Sequence, residues 1–311
     1  MEIVRGLESY PPDSSPTVVA LGTFDGVHLG HQGILGVAVN RARALGLRAV
    51  ACTFTPHPLQ VLSPGKAPVP ITTLDENLTL IAGQGLDAAV VIEFTLEFSR
   101  IEAEEFVRGV LHRTLKAREV VVGFNHTFGH RARGNAALLQ EWAEKLGFVA
   151  HVVPPRVVDQ VVVSSSAIRE ALRSGDVRRA FRLLGRPYTV RGPVVKGKGR
   201  GRQLGFPTAN LKPERELVLA PGVYAARASW ARGESGAVVN AGIRPTFGEE
   251  EYWVEAYLLD FSGDLYSQQL TLAFLEWIRA EQRFPSVESL KAQVLRDVES
   301  AARLLASTPG R

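Results

Sequence analysis

Up to about residue 184, short β-branched, apolar runs alternate with longer amphipathic stretches. A parallel sheet covered by helices on both faces accommodates that pattern. Strands are predicted at Thr17–Leu21, Arg48–Phe54, Ala88–Ile92, Glu119–Val122 and Val149–Val153. Helices are predicted at His31–Leu45, Glu102–Leu111 and Asn135–Leu146, with Gly46 and Gly147 placed as left-handed caps after the first and last. This half reads as a doubly wound α/β domain.

Two short helices follow from Ser165, the first ending at Ser174-Gly175 and the second capped by Asp176 and ending at Leu184-Gly185. Beyond Arg186-Pro187 the runs are β-rich and broken by Gly and Pro: Tyr188–Val195, Val223–Trp230, Ala237–Ala241, Tyr252–Leu259 and Leu270–Ile278. Strands at that spacing without intervening helices predict a small antiparallel barrel or sandwich. A last helix starts at Pro285-Ser286, with Val287, Leu290, Val294, Leu295 and Val298 expected on its packed face. The domains are therefore expected at 1–184 and 185–311, in keeping with about 150 residues per domain.

Composition narrows the class. One cysteine, Cys52, excludes a disulfide framework and an all-thiolate metal site, and a reducing cytoplasm fits best. The first ten residues lack an apolar signal core, and no run approaches a membrane span, so neither export nor membrane insertion is expected. The net charge of +4 suits an anionic small substrate, but no block of like charge reads as a nucleic-acid tail. Nothing in the sequence speaks for or against self-association.

The segment Gly22-Thr23-Phe24-Asp25-Gly26-Val27-His28-Leu29-Gly30-His31-Gln32 comes directly after the first predicted strand of this pattern and opens a helix. Ligands bind at that edge of an open α/β sheet, and a helix start offers free N–H groups to a phosphate. Two imidazoles three residues apart, with Gly26 and Gly30 allowing close approach, suit stabilisation of charge on a transferring phosphorus. A glycine-rich turn with two surface histidines is the plainer alternative, and a zinc pair a third. Further on, Ser164, Ser165 and Ser166 put three hydroxyls at a helix start with Arg169 one turn in, which reads as a second anion grip or as an ordinary cap.

In the second half, Gly192-Pro193-Val194-Val195-Lys196-Gly197-Lys198-Gly199-Arg200-Gly201-Arg202 forms a cationic, glycine-rich flap. Arg202 occupies the third glycine position of a dinucleotide fingerprint, and no Walker sequence occurs, so neither fold underlies this loop. The flap is suited to polyphosphate or is a solvated turn. Thr208 and Asn210, on one face of an extended segment, supply neutral oxygens of the kind Mg²⁺ takes beside phosphates. Glu255 alternates with Val254 and Ala256, so its carboxylate points away from them.

These motifs together resemble one family. The HxGH segment with the serine turn resembles the nucleotidyltransferase superfamily. The wording GTFDGVHLGHQ is similar to the adenylyltransferase half of the bacterial bifunctional riboflavin kinase/FAD synthetases, as are Thr53-Phe54-Thr55-Pro56-His57-Pro58 and Gly123-Phe124-Asn125-His126-Thr127-Phe128-Gly129. Pro207-Thr208-Ala209-Asn210 resembles the family's PTAN motif, and the likeness continues through Pro221–Tyr224, Asn240–Phe247, Val254–Asp260 and Arg279–Phe284. Ser166 replaces the family's usual Thr and keeps the hydroxyl, whereas His126 replaces a Phe.

The resemblance implies a nucleotidyltransferase-like α/β domain followed by a small antiparallel β-barrel with a C-terminal helix. It implies phosphorylation of riboflavin to FMN and adenylylation of FMN to FAD, with riboflavin, FMN and ATP as partners and Mg²⁺ as cofactor. His28, His31, Arg169 and Glu255 are then catalytic. Gly22, Phe24, Gly26, Gly30, Ser164, Ser165, Ser166, Gly197, Gly199 and Arg202 face ATP. Pro56, His57, Pro58, Asn125, Arg279 and Glu281 face flavin, and Thr208 and Asn210 hold the metal. Three alternatives stay open: a kinase whose adenylyltransferase site is weakened by His126, a zinc hydrolase using His28, His31, His126 and His130, and a nucleic-acid binder exploiting the arginines.

Overall fold

The computed structural model describes residues 1–197, 201, 205–246 and 249–307. They fall into two compact units: 1–68 with 72–165, and 69–71 with 166–311.

The first unit is built on a parallel sheet of β1 (Glu2–Arg5), β2 (Thr17–Leu21), β3 (Arg48–Thr55), β4 (Ala88–Glu93), β5 (Ala117–Gly123) and β6 (Val149–Val153), in the order β1-β4-β3-β2-β5-β6. Alternate residues of one strand enter different cores. Val19 and Leu21 pack with Val50, Cys52, Val90, Val120 and Val122, while Val18 and Ala20 pack with Ala49, Ala51, Ala89, Val91 and Val121. Burial on both faces is why these strands are apolar throughout. Cys52 lies in the first of these cores, where burial pushes its thiol up to about 12, so it is chemically inert near neutral pH.

Helix α1 (Leu29–Leu45) buries Ile34, Leu35, Ala38 and Ala42 and ends at Gly46, whose φ of 64° is left-handed. Helix α2 (Pro58–Leu62) is short. Helix α3 (Leu74–Ala82) starts with a reciprocal capping box between Thr73 and Glu76. The stretch expected as a helix over Glu102–Leu111 is different: α4 (Ala103–Glu105) gives way to a π-helix over Phe106–Thr114. That wider turn still buries Phe106, Val107, Val110 and Leu111, and it contains Gly109, which weakens a tighter helix. Helix α5 (Ala136–Leu146) has the expected Asn135 cap and left-handed Gly147, and a small hairpin pairs β7 (Val157–Val158) with β8 (Val161–Val162).

The second unit opens with α6 (Ser165–Arg173) and α7 (Val177–Leu184), both within a residue or two of their expected bounds. A closed barrel follows: β9 (Tyr188–Val195), β10 (Ala209–Leu211), β11 (Gly222–Trp230), β12 (Gly233–Thr246), β13 (Glu249–Leu258) and β14 (Gln269–Ala280), in the order β10-β13-β12-β11-β14-β9. Closure removes the edge strands an open sheet would expose. The two short helices pack with the barrel: Arg178 pairs with Glu276, and the Ala220 N–H donates to the Leu172 carbonyl at 2.9 Å. The division by packing thus falls at residue 165, ahead of the 184/185 division that the composition predicts.

Helix α8 (Val287–Ser307) closes the chain, and Val298, Ala301, Leu304 and Leu305 pack on Val223, Ala225 and Val238. Its apolar face is therefore shifted from the expected one, since Val287 and Leu295 stand more than half exposed. Among the described residues no helix is long and apolar enough to cross a membrane.

Candidate functional site

In the first unit β2 sits between β3 and β5, and the strand order runs outward from it in both directions. That switch point leaves a crevice at the carboxyl ends of the strands. Three groups of expected residues lie there. The histidine loop follows β2, Pro56, His57 and Pro58 follow β3, and Asn125 follows β5.

His28 is the N-cap of α1, and its Nδ1 accepts the His31 backbone N–H at 3.2 Å. The neutral ring therefore carries its proton on Nε2. The two imidazoles stack with centroids 3.6 Å apart and planes 16° from parallel. Burial, and then the neighbouring His28, hold the His31 imidazolium well below the usual histidine range, so His31 is neutral near pH 7. Its buried Nδ1 has no hydrogen-bond partner. Phe24, fully buried, meets His31 edge-on at 5.4 Å and supports it from the core side. Gly30 permits the stack, because a Cβ there would lie 3.1 Å from the His28 ring. Gly22 in turn lets the Phe24 ring approach.

The serine turn meets this loop: the Ser165 hydroxyl donates to the Asp25 carbonyl at 3.0 Å across 140 residues of sequence. Ser164 is half-buried and Ser166 exposed. Arg169 is buried within the second unit, its Nε donating to the Val69 carbonyl at 2.7 Å.

Thr72 and Asn77, which are not among the expected site residues, also hold the loop. Thr72 donates its N–H to Asp25 Oδ1 at 3.3 Å, and the Gly26 N–H donates to Thr72 Oγ1 at 2.9 Å and Asn77 Oδ1 at 3.2 Å. The capping pattern Thr73-Leu74-Asp75-Glu76 marks the helix that carries Asn77 and was the available signal.

On the flavin side, His57 caps α2, its Nδ1 accepting the Leu59 N–H at 3.2 Å, while Pro56 and Asn125 are exposed. His126 stacks on Phe128 at 6.0 Å; its Nε2 is buried without a partner, and burial lowers its pKa to about 4. His130 pairs instead with Glu102 at 3.1 Å. Among the described residues no three His, Cys, Asp or Glu are placed to hold a metal ion together.

In the barrel, strand register assembles the second set. Asn210 pairs with Val195 and with Glu255, Glu255 with Asn240, Asn240 with Val223, and Val223 with Arg279. Directly paired residues share a face, so Asn210, Glu255, Asn240 and Arg279 stand in one cross-strand row. Val254 and Ala256, at 1% and 0% exposure, face the opposite side, as the alternation requires. Asn240 Oδ1 is buried without a hydrogen-bond partner.

Gly197 lies against the Asn210 amide, where any side chain would collide. Gly199 and Arg202 lie outside the described residues. Thr208 immediately precedes β10 and is half-buried. Arg279 forks onto Asp297 of α8, with Nε–Oδ1 at 3.0 Å and Nη2–Oδ2 at 2.7 Å. Glu281 approaches Gly242, where a Cβ would lie 2.6 Å from its Oε1.

Fold and sites together define a nucleotidyltransferase-like domain joined to a kinase-type barrel. A family model described as FAD synthetase matches residues 10–167, and one described as riboflavin kinase matches residues 184–305. A Pseudomonas fluorescens protein named bifunctional riboflavin kinase/FMN adenylyltransferase is 36% identical over 312 residues, covering 100% of both chains. One of the same name from Escherichia coli K12 is 34% identical, covering 99% of each. A crystal structure described as a macrolide-efflux protein from Streptococcus pneumoniae superposes with a TM-score of 0.89 at 31% identity, covering 97% of this chain and 99% of that one. The chain belongs to the bifunctional riboflavin kinase/FMN adenylyltransferase family, and carries both of its domains in order.

Proposed function

We propose that the chain phosphorylates riboflavin with ATP in residues 185–311 and transfers AMP from a second ATP to the resulting FMN in residues 1–184, releasing pyrophosphate. The observation that carries this is the presence of both family domains in one chain, supported by the histidine loop, Pro56–Pro58 and Asn125 following neighbouring strands of the sheet and by Asn210, Glu255 and Asn240 standing in one barrel row.

In the adenylyltransferase, the FMN phosphate is already an anionic nucleophile, so charge stabilisation matters more than a base. His28 and His31 supply donors at the α-phosphate, with Arg169, the serine turn and the helix start as further anion contacts. Pro56, His57, Pro58 and Asn125 line the flavin side. In the kinase, Glu255 takes the proton of the riboflavin 5′-hydroxyl as its oxygen attacks the γ-phosphorus. Glu281 and Arg279 border the flavin, and the flap covers the phosphates.

Thr208 and Asn210 would hold Mg²⁺, whose charge, when bound, offsets that of the ATP phosphates. Neutral oxygen donors suit that ion, and the unpartnered Asn240 oxygen lies in the same row as Asn210. The partners are small molecules and not nucleic acid, and the setting is the cytoplasm.

Incubation with riboflavin, ATP and Mg²⁺, followed by chromatography, tests the reading: FMN forms first and FAD follows. FMN without FAD under excess ATP favours a kinase with an impaired adenylyltransferase, the reading that the buried, unpartnered His126 supports.

A further inference from the structure

Between β2 and α1 the backbone passes through Phe24 at φ 50°, Gly26 at φ 79° and Val27 at φ 36°, all left-handed. Glycine takes that conformation freely. A β-branched residue is strained in it and persists there only where its surroundings over-determine it. Val27 is 1% exposed, and its carbonyl accepts from the Gln32 side chain at 2.9 Å, which holds the loop from α1.

A second hold comes from α3 and the residues before it. The Gly26 N–H is shared between Thr72 Oγ1 at 2.9 Å and Asn77 Oδ1 at 3.2 Å. The Thr72 hydroxyl donates to that same Asn77 oxygen at 2.6 Å, so it meets Gly26 as an acceptor. Asn77, Leu78 and Ile81 are the buried residues of α3, and Leu78 and Ile81 share a core with Phe24 and Val27. An amide buried beside such a core is unfavourable unless its polar atoms are satisfied, and asparagine is a weak helix former. Packing and helix propensity therefore do not account for Asn77, whereas its bonds to Gly26 and Thr72 do. Thr72, Asn77 and the whole histidine loop belong to the first compact unit.

We infer that Asn77, together with Thr72, is a positioning residue for the adenylyltransferase, fixing the peptide plane before Gly26 and, through Val27, the angle at which His28 enters α1 and stacks on His31. A peptide unit is a rigid plane, so holding its N–H leaves few rotations between Gly26 and the His28 cap. A misplacement of about 1 Å at a reacting centre lowers the rate on the order of 10²-fold. The inference rests on the adenylyltransferase reading. Conversion of FMN to FAD by the parent protein tests that reading, while amide hydrogen exchange over residues 22–31 reports on the hold itself, independently of activity.

The test compares the full chain with Thr72→Val, Thr72→Ser, Asn77→Leu and the double variant Thr72→Val/Asn77→Leu. It measures kcat and KM for FMN adenylylation, kcat for riboflavin phosphorylation, Tm, and exchange over residues 22–31. Thr72→Val and Asn77→Leu are each expected to lower adenylylation kcat by roughly 10- to 100-fold, with KM for FMN within about three-fold. Thr72→Ser keeps the hydroxyl and should stay within about three-fold of the parent. Riboflavin phosphorylation should stay within about two-fold in every variant, and the double variant should lose no more than about the worse single one, because both side chains act on one N–H. Exchange over the loop should quicken in the Val and Leu variants and not in the Ser variant. Parent-like loop exchange or an unchanged adenylylation rate in both single variants, equal losses of both activities, a Thr72→Ser loss as large as that of Thr72→Val, or losses that multiply in the double variant would each overturn the inference. Should Asn77→Leu not fold, Thr72→Val against Thr72→Ser decides by the same measures.

Discussion

His28 accepts the backbone N–H of His31 through Nδ1 and stacks on the same residue's ring at 3.6 Å. Each imidazole thus fixes the other, one as cap and the other as support. Replacing either by Ala is expected to lower FMN adenylylation by about 10²-fold or more, the usual cost of one oxyanion-type donor. Riboflavin phosphorylation should be unchanged. Equal loss of both activities, measured by flavin chromatography, would make the histidines structural.

Glu255→Gln keeps side-chain volume and the alternation of β13 but removes the basic carboxylate. Riboflavin phosphorylation should fall by about 10² to 10⁴-fold, while adenylylation of supplied FMN and the affinity for ATP persist. Near-parent FMN production by the variant would remove the general-base role.

These sites were legible in the sequence to different degrees. The sheet strands β2 to β6 and the caps at Asp176 and Gly46 follow from local chemistry and appear where expected, whereas β1, a short and largely exposed strand held by its parallel pairing with β4, was not among the expected strands. Serine and histidine motifs were recognisable one by one, but the Ser165–Asp25 bond joins residues 140 apart. Local pattern cannot specify such a bond. The π-turn over Phe106–Thr114 and the shifted face of α8 depend on tertiary packing, which overrides periodicity. The fork of Arg279 onto Asp297 likewise joins two elements whose pairing no local motif specifies.

His126 supplies a pH test. Its folded-state pKa of about 4 lies below the unfolded value of about 6.5, so the unfolded chain binds the proton first as pH falls. The stability linked to this neutral imidazole is complete above about pH 6.5 and is lost progressively toward pH 4. His126→Phe should therefore flatten the decline of Tm across that window. An unchanged decline would show that other groups govern acid sensitivity.

Asp297 is 3% exposed and receives Arg279 together with the Gln293 amide at 2.8 Å. Asp297→Ala leaves the guanidinium without its counter-charge, and a loss of about 3 kcal/mol is expected, read as a lower denaturation midpoint with the m-value retained. A midpoint equal to that of the parent would show that solvent replaces the pair.

The barrel row of Asn210, Glu255 and Asn240 is set by hydrogen-bond register rather than by any loop. A one-residue slip of β13 would exchange Glu255 for Val254 or Ala256, bringing a valine or alanine to the phosphate and driving a carboxylate into the core. Length changes in this domain are therefore admissible in the turns between strands and not within the strands themselves. A single-codon deletion in β13 should abolish folding and catalysis together, which makes the frame of this strand as much a part of the enzyme as its glutamate.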